Sequence, residues 1–194
     1  MSASHLVYID NYGLKGTNFY WHKYEAKGLS KDDILSAGLT SDRVQVHKNI
    51  IEPLLKINKL LLERGYELFL KEGYRSEALY NIVYQRRVEK FGQADTDQLI
   101  NMKDKPHALG LSVDVALWNP VTNSEVYLRR AEDGTDALFV DYYKGKTDAD
   151  SQRYQELQEW VINILQNHGF RLGTKNEYFH FDYRPAKPRN YPIG

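Results

Sequence analysis

Cysteine is absent from this 194-residue chain, which removes disulfides and thiolate metal ligands together. Any metal must then be held by His, Asp and Glu, a donor set that suits a catalytic ion better than a closed structural one. A surplus of one charge is missing too: 26 basic and 26 acidic residues cancel. No basic block marks nucleic acid or an anionic membrane as a partner. No apolar run approaches the ~18 residues of a membrane span. The N-terminus lacks a basic stretch leading into a long apolar one, so a signal peptide is not expected. The cytoplasm is the expected location, with release by a non-signal route left open. A 42% hydrophobic and 27% charged composition is that of an ordinary globular protein, and the length suits a single domain over residues 1–194.

What is present alternates between strand and helix signals. Leu6 to Asp10 is β-branched and aromatic, as strands are. Residues 11–28 show no period and are expected as an ordered loop. Ser30 with Asp33 forms a capping signal for a short helix that ends before Gly38. Ser41 is expected to cap a longer helix through Val44, Ile50, Leu54, Ile57 and Leu61 to Gly65, kinked at Pro53. Tyr66 to Lys71 alternates like a strand, and Glu77 to Phe91 reads as a helix stopped by Gly92. Gln93 to Pro106 reads as a surface loop. Val113, Val115 and Leu117 alternate with Asp114, so Asp114 should face away from the valines. A turn at Asn119–Asn123 and a return strand to Leu128 suggest a hairpin. Ala131 to Ala149 reads as a loop, Ser151 to Asn167 as a helix, and Tyr178 to Tyr183 as the last strand. Strands and helices in mixed order, with a hairpin, favour α+β over a wound parallel sheet.

Four side chains carry the chemistry. His107, Asp114 and His180 could supply two imidazoles and a carboxylate to a divalent ion, leaving a position for a water whose pKa falls to ~7. His107 lies seven residues before Asp114, which on an unbroken strand would put them on opposite faces. His107 should therefore sit on the loop entering the strand, with Gly110 at the bend. Glu177 precedes His180 by three positions and must lie at a bend to reach the same pocket, where its carboxylate can act as general base. In that run Phe179, Phe181 and Tyr183 are expected to face the core, and Tyr178, His180 and Asp182 to face the site. Arg75, after Gly73-Tyr74, could hold a developing oxyanion. Each piece also has an ordinary reading: a satisfied loop histidine, a surface Glu–His pair, a surface arginine cap. His22, His47 and His168 show no partner pattern, and Asp95, Asp97 and Asp104 read as a solvated loop.

Gly73-Tyr74-Arg75, then His-x-x-Gly-x-x-x-Asp from His107 to Asp114, then Glu177-x-x-His180, resembles the M15 family of zinc D-alanyl-D-alanine peptidases. The landmarks span residues 6–184. The chain looks most like the D-Ala-D-Ala dipeptidase (VanX-type) branch, through Asn18-Phe19, the strand into Gly-Tyr-Arg, and His168-Gly169-Phe170. The resemblance implies a Hedgehog/DD-peptidase-like fold with a central antiparallel sheet flanked by helices. It implies Zn2+ on His107, Asp114 and His180, with Glu177 as base and Arg75 as transition-state stabiliser. It also implies an acidic residue in the middle loop that meets the substrate amine, with Asp141 preferred over Asp136, and Tyr74 beside the substrate. Two features depart from the pattern. Lys105 stands where the family has a serine, and Tyr178-Phe179 stand where it has tryptophans.

The implied activity is hydrolysis of D-Ala-D-Ala or a related D-amino-acid dipeptide. A carboxypeptidase or endolysin-type peptidase acting on peptidoglycan stem peptides is the second expectation. A non-catalytic metal-binding module is the third, although such a module needs neither Glu177 nor Arg75.

Overall fold

The computed structural model describes residues 5–185. In chain order these form β1 (Leu6–Tyr8), β2 (Lys15–Gly16), α1 (Phe19–Lys23), α2 (Lys31–Ser36), β3 (Gln45–His47), α3 (Ile51–Leu62), β4 (Glu67–Glu72), α4 (Glu77–Phe91) and α5 (Gln93–Leu99). They continue with β5 (Ser112–Asn119), β6 (Ser124–Val126), α6 (Ala149–Asn167), β7 (Phe170–Leu172) and β8 (His180–Tyr183). Among the described residues, no helix is long and apolar enough to cross a membrane.

The architecture is α+β, as expected. The main sheet has the order β2-β4-β5-β8-β7, with β6 also on β5. Every pairing in it is antiparallel except the two-residue contact of β2 with β4. β5 carries β8 at one end of its free edge and β6 at the other, through Ser112–Asp114 and Leu117–Asn119. One face of this sheet is apolar. Leu68, Leu70, Val113, Val115, Leu117 and Phe181 pack there against Leu54, Ile57 and Leu61 of α3 and Val161 and Leu165 of α6. A second cluster joins α1, α2 and α4 through Tyr20, Ile34, Leu79, Tyr80 and Val83.

Several local expectations hold because they rest on adjacent residues. Ser30 and Asp33 form a reciprocal capping box on α2, and Gly92 ends α4. Others give way to long-range pairing. The helix expected from Ser41 is replaced at first by β3, which pairs with β1, and α3 begins only at Ile51. Pro53 is therefore the third residue of the helix, where no intrahelical bond to its nitrogen would form, and it causes no interior break. The segments expected as loops at residues 11–28 and 93–106 hold α1, capped by the Asn18 side chain, and α5.

The feature that most affects the site is a register shift in β4. Leu70 pairs with Val115, but Glu72 pairs with Asp114. Lys71 is thus an extra residue, a bulge, and it turns Glu72 from the apolar face to the polar one.

Candidate metal centre and cavity

Glu72, Asp114 and His180 lie directly opposite one another on β4, β5 and β8. Residues facing each other across antiparallel strands share a face, so the three form a row across the middle of the sheet. His107 reaches the row from a short 3-10 turn, Pro106–Leu109, that ends at Gly110 with φ 67°. A side chain on Gly110 would also place its Cβ 2.8 Å from the His47 backbone nitrogen. The bend expected there is thus enforced by both conformation and space.

The three donors converge. His180 Nδ1 lies 2.8 Å from Asp114 Oδ1, His107 Nε2 lies 3.4 Å from that oxygen, and the two imidazole nitrogens are 3.2 Å apart. Donors at ~2.0–2.1 Å from a tetrahedral zinc stand ~3.3–3.4 Å from one another; the two contacts of His107 match that spacing, and the His180–Asp114 pair, at 2.8 Å, opens slightly to admit the ion. His107, Asp114 and His180 also form a metal-competent group by proximity alone.

The surroundings fix both rings. The Gly73 carbonyl, which can only accept, is 2.7 Å from His107 Nδ1. Nδ1 therefore carries the proton, and Nε2 offers its lone pair to the site. His180 Nε2 lies 3.3 Å from Asp182, which in turn accepts hydrogen bonds from the Ser112 hydroxyl at 2.7 Å and Arg184 at 2.9 Å. Gly173 packs flat beneath the His180 ring, because a Cβ there would fall 2.1 Å from His180 Cδ2. Burial alone would depress the His180 pKa, but its contacts with Asp114 and Asp182 overcome that and push it up to about 10. Burial likewise works against the Asp114 charge. His107 and His180 outweigh it and hold the carboxyl well below the usual range.

Glu177 stands outside β8 at the bend expected for it, in a single bridge with Phe139, and is 8% exposed. Burial, reinforced by the Asp114 charge, pushes its pKa up to about 7. A carboxyl poised there can take a proton and return it near neutral pH. Arg75 is buried and donates to both oxygens of Glu72, at 2.7 and 2.5 Å. Its guanidinium also lies against the rings of Tyr80 and Tyr20, at 4.5 and 5.0 Å. Burial opposes its charge, yet Glu72 keeps its pKa above the ordinary arginine value.

These groups line one cavity of about 650 Å³ that includes Arg75, His107, Asp114, Glu177 and His180, within the range of small-molecule sites. The other expected substrate contacts stand elsewhere. Asp141 is exposed with Lys144 3.8 Å away, Asp136 is exposed at the start of a 3-10 turn, and Tyr74 is half-buried with its amide on the Gln45 carbonyl. None of the three lines the cavity, whose walls carry Glu132 and Asp150 instead. Lys105 is also outside it, paired with Glu77 at 2.5 Å.

Phe179 and Tyr178 both line the cavity, and Tyr178 also packs on the main core. The expected alternation fails there because β8 starts only at His180. Asp182, expected on the site face, lies against the His180 ring, whereas Glu72 and Gly173 were not anticipated as parts of the site.

No family model matches the sequence, and no curated protein matches it. Solved structures overlap in part. LdcB, an LD-carboxypeptidase, aligns at a TM-score of 0.49 and 19% identity over 74% of this chain, which spans 61% of LdcB. VanY, a vancomycin-resistance D,D-pentapeptidase solved with Zn(II), aligns at 0.48 and 14% identity over 72% of each chain. VanXYg, a D,D-dipeptidase solved with a D-Ala-D-Ala phosphinate analogue, aligns at 0.46 and 16% identity over 77% of this chain and 55% of its own.

Proposed function

We propose that the chain is a zinc peptidase of the M15 type that cleaves a peptide bond next to a D-amino acid, with D-Ala-D-Ala as its smallest substrate. The observation that carries this reading is the convergence of His107, Asp114 and His180 at zinc spacing, with a neutral-range carboxyl, Glu177, in the same cavity. When bound, a zinc ion supplies Lewis acidity to the scissile carbonyl and acidifies a water. Everything else falls to the chain. His107 and His180 are held in fixed tautomers by the Gly73 carbonyl and Asp182. Glu177 takes a proton from the attacking water and delivers it to the leaving amine. Arg75, clamped by Glu72, presents a fixed positive charge to the oxygen that becomes anionic. A free substrate amine would find two carboxylates on the cavity wall, Glu132 and, beside Arg130, Asp150.

The cavity volume favours a second reading, a carboxypeptidase acting on longer stem peptides. A two-alanine peptide has about 11 non-hydrogen atoms, whereas about 650 Å³ equals the liquid volume of about 20 waters.

The test is metal analysis of purified protein, followed by hydrolysis assays on D-Ala-D-Ala, L-Ala-L-Ala and a longer peptide ending in D-Ala-D-Ala. We expect one zinc per chain and cleavage of D-terminal peptides that a chelator abolishes and zinc restores. One bound zinc with no cleavage of any substrate would overturn the reading in favour of a non-catalytic metal module. Preference for the longer peptide would select the carboxypeptidase.

A further inference from the structure

The cavity extends away from the metal row into a region whose charges are not balanced by the chain. Four cations line the cavity without a carboxylate ion pair among the described residues: Lys175, whose ammonium donates to the Asp97 carbonyl, and Lys27, Arg87 and Arg129. Their neighbours differ, since Lys71 is paired with Glu125 at 2.7 Å and Arg130 with Asp148. Arg87 is the clearest case. It is 7% exposed, its Nε is buried with no acceptor, and its guanidinium rests 5.0 Å from the Phe91 ring. Arg129 spends donors only on the Arg130 and Gly134 carbonyls and on the Tyr178 hydroxyl. Lys27 has only the ring of Phe19, 5.2 Å away.

A buried guanidinium with an unmet donor is costly, and folded proteins rarely keep one unless something outside the chain satisfies it. Three like charges converging on one wall raise that cost further. Burial, and then the charges of Arg87 and Arg129, push the Lys27 pKa down to about 8, so the region acts on its own members as a concentration of positive charge. An anion entering the cavity relieves all three at once.

We propose that Lys27, Arg87 and Arg129 form a carboxylate-binding subsite that holds an anionic group of the peptide, remote from the bond being cut. Tyr20 spans the two regions, since its ring contacts Arg75 and its hydroxyl is within electrostatic reach of Arg87. The inference rests on the peptidase reading for the identity of the ligand, though not for the anion site itself. Its consequence is that the preferred substrate carries a second carboxylate beyond the D-terminal one, which a bare dipeptide lacks.

The experiment is calorimetric titration of zinc-loaded protein with two probes, succinyl-Gly-D-Ala-D-Ala and its succinamyl analogue, which differ by one carboxylate. The succinyl probe should bind at least about tenfold more tightly, the factor that one charge-assisted hydrogen bond supplies. That preference should vanish in Lys27→Gln and in Arg87→Gln, while binding of the amide probe stays unchanged. Equal binding of both probes to the native protein overturns the proposal, and so does a preference that survives both substitutions. If Arg87→Gln does not fold, the half-buried Lys27 position decides. The two readings fail separately. Cleavage of both probes at equal rates with no preference in binding leaves the peptidase and removes the subsite. A preference in binding without cleavage leaves the subsite and removes the peptidase.

Discussion

Glu72 and Asp114 face each other across β4 and β5, one carboxylate buried and one partly buried on one side of a sheet, yet they do different work. Asp114 is committed to His107 and His180, and Glu72 to Arg75. Facing carboxylates repel, and the separation of duties keeps both charged: each has its own cation or cation-like partner on the outer side of the pair.

Removing one half of the Glu72–Arg75 pair should therefore be worse than removing both. Glu72→Ala leaves a buried arginine without its counter-charge and should cost about 3–5 kcal/mol, whereas replacing both residues by methionine should recover most of that loss. Denaturant unfolding of the zinc-free proteins measures both. The double variant should still bind zinc while losing peptide cleavage, and a stable single variant would contradict the account.

Glu177→Gln should keep its zinc and lose about 10²–10⁴-fold in turnover, the usual weight of a general base. The same variant tests the pKa. A carboxyl raised from its ordinary 4.5 to about 7 holds its proton longer in the folded state than in the unfolded one. Its contribution to stability is thus most favourable below about 4.5 and declines as pH climbs through 7. Glu177→Gln should accordingly stabilise the zinc-free protein by about 2–3 kcal/mol at pH 8 and leave it little changed at pH 4. Identical unfolding profiles at both pH values would rule out the raised pKa.

Zinc and protons should compete at His180. With its pKa up at about 10, the ring is doubly protonated in the zinc-free protein at pH 7. The stability gained from this raised pKa is fully present below the unfolded value of 6.5 and is lost as pH rises through 10. Zinc needs the Nδ1 lone pair, so binding should release about one proton and strengthen about tenfold per pH unit between 7 and 9. Calorimetry in buffers of different ionisation enthalpy reads the proton count, and a count of zero would refute the assignment.

Gly173→Ala should displace the His180 ring, since the new methyl would overlap Cδ2. Zinc affinity should fall about 10–100-fold, as it does when the support of a ligand is disturbed. The far-ultraviolet spectrum should be unchanged, because Gly173 lies between β7 and β8 rather than inside either. Unaltered zinc affinity would mean that the ring has room to move.

What could be read from the sequence was what neighbouring residues decide. The valines beside Asp114 fixed its face, Gly110 fixed the bend after His107, and Ser30 and Gly92 marked helix ends. What could not be read depends on partners far along the chain. β3 exists because β1 pairs with it, and without that partner Val44 and Ile50 pass for helix positions. The role of Asp182 depends on Ser112, seventy residues away. Glu72 was hidden by parity, because in an unbroken strand it would follow Leu68 and Leu70 into the core.

That hidden residue makes β4 count its own residues. Without the extra step at Lys71, the strand would deliver a lysine to the metal row and send the glutamate into the hydrophobic layer beneath α3. Deleting Lys71 should therefore leave the glutamate opposite Asp114, as the residue that follows Leu70, whereas flattening the bulge with Lys71 in place would bury it. In effect the strand carries an odd–even code, and the charge at the heart of the site depends on Lys71 being passed over in it.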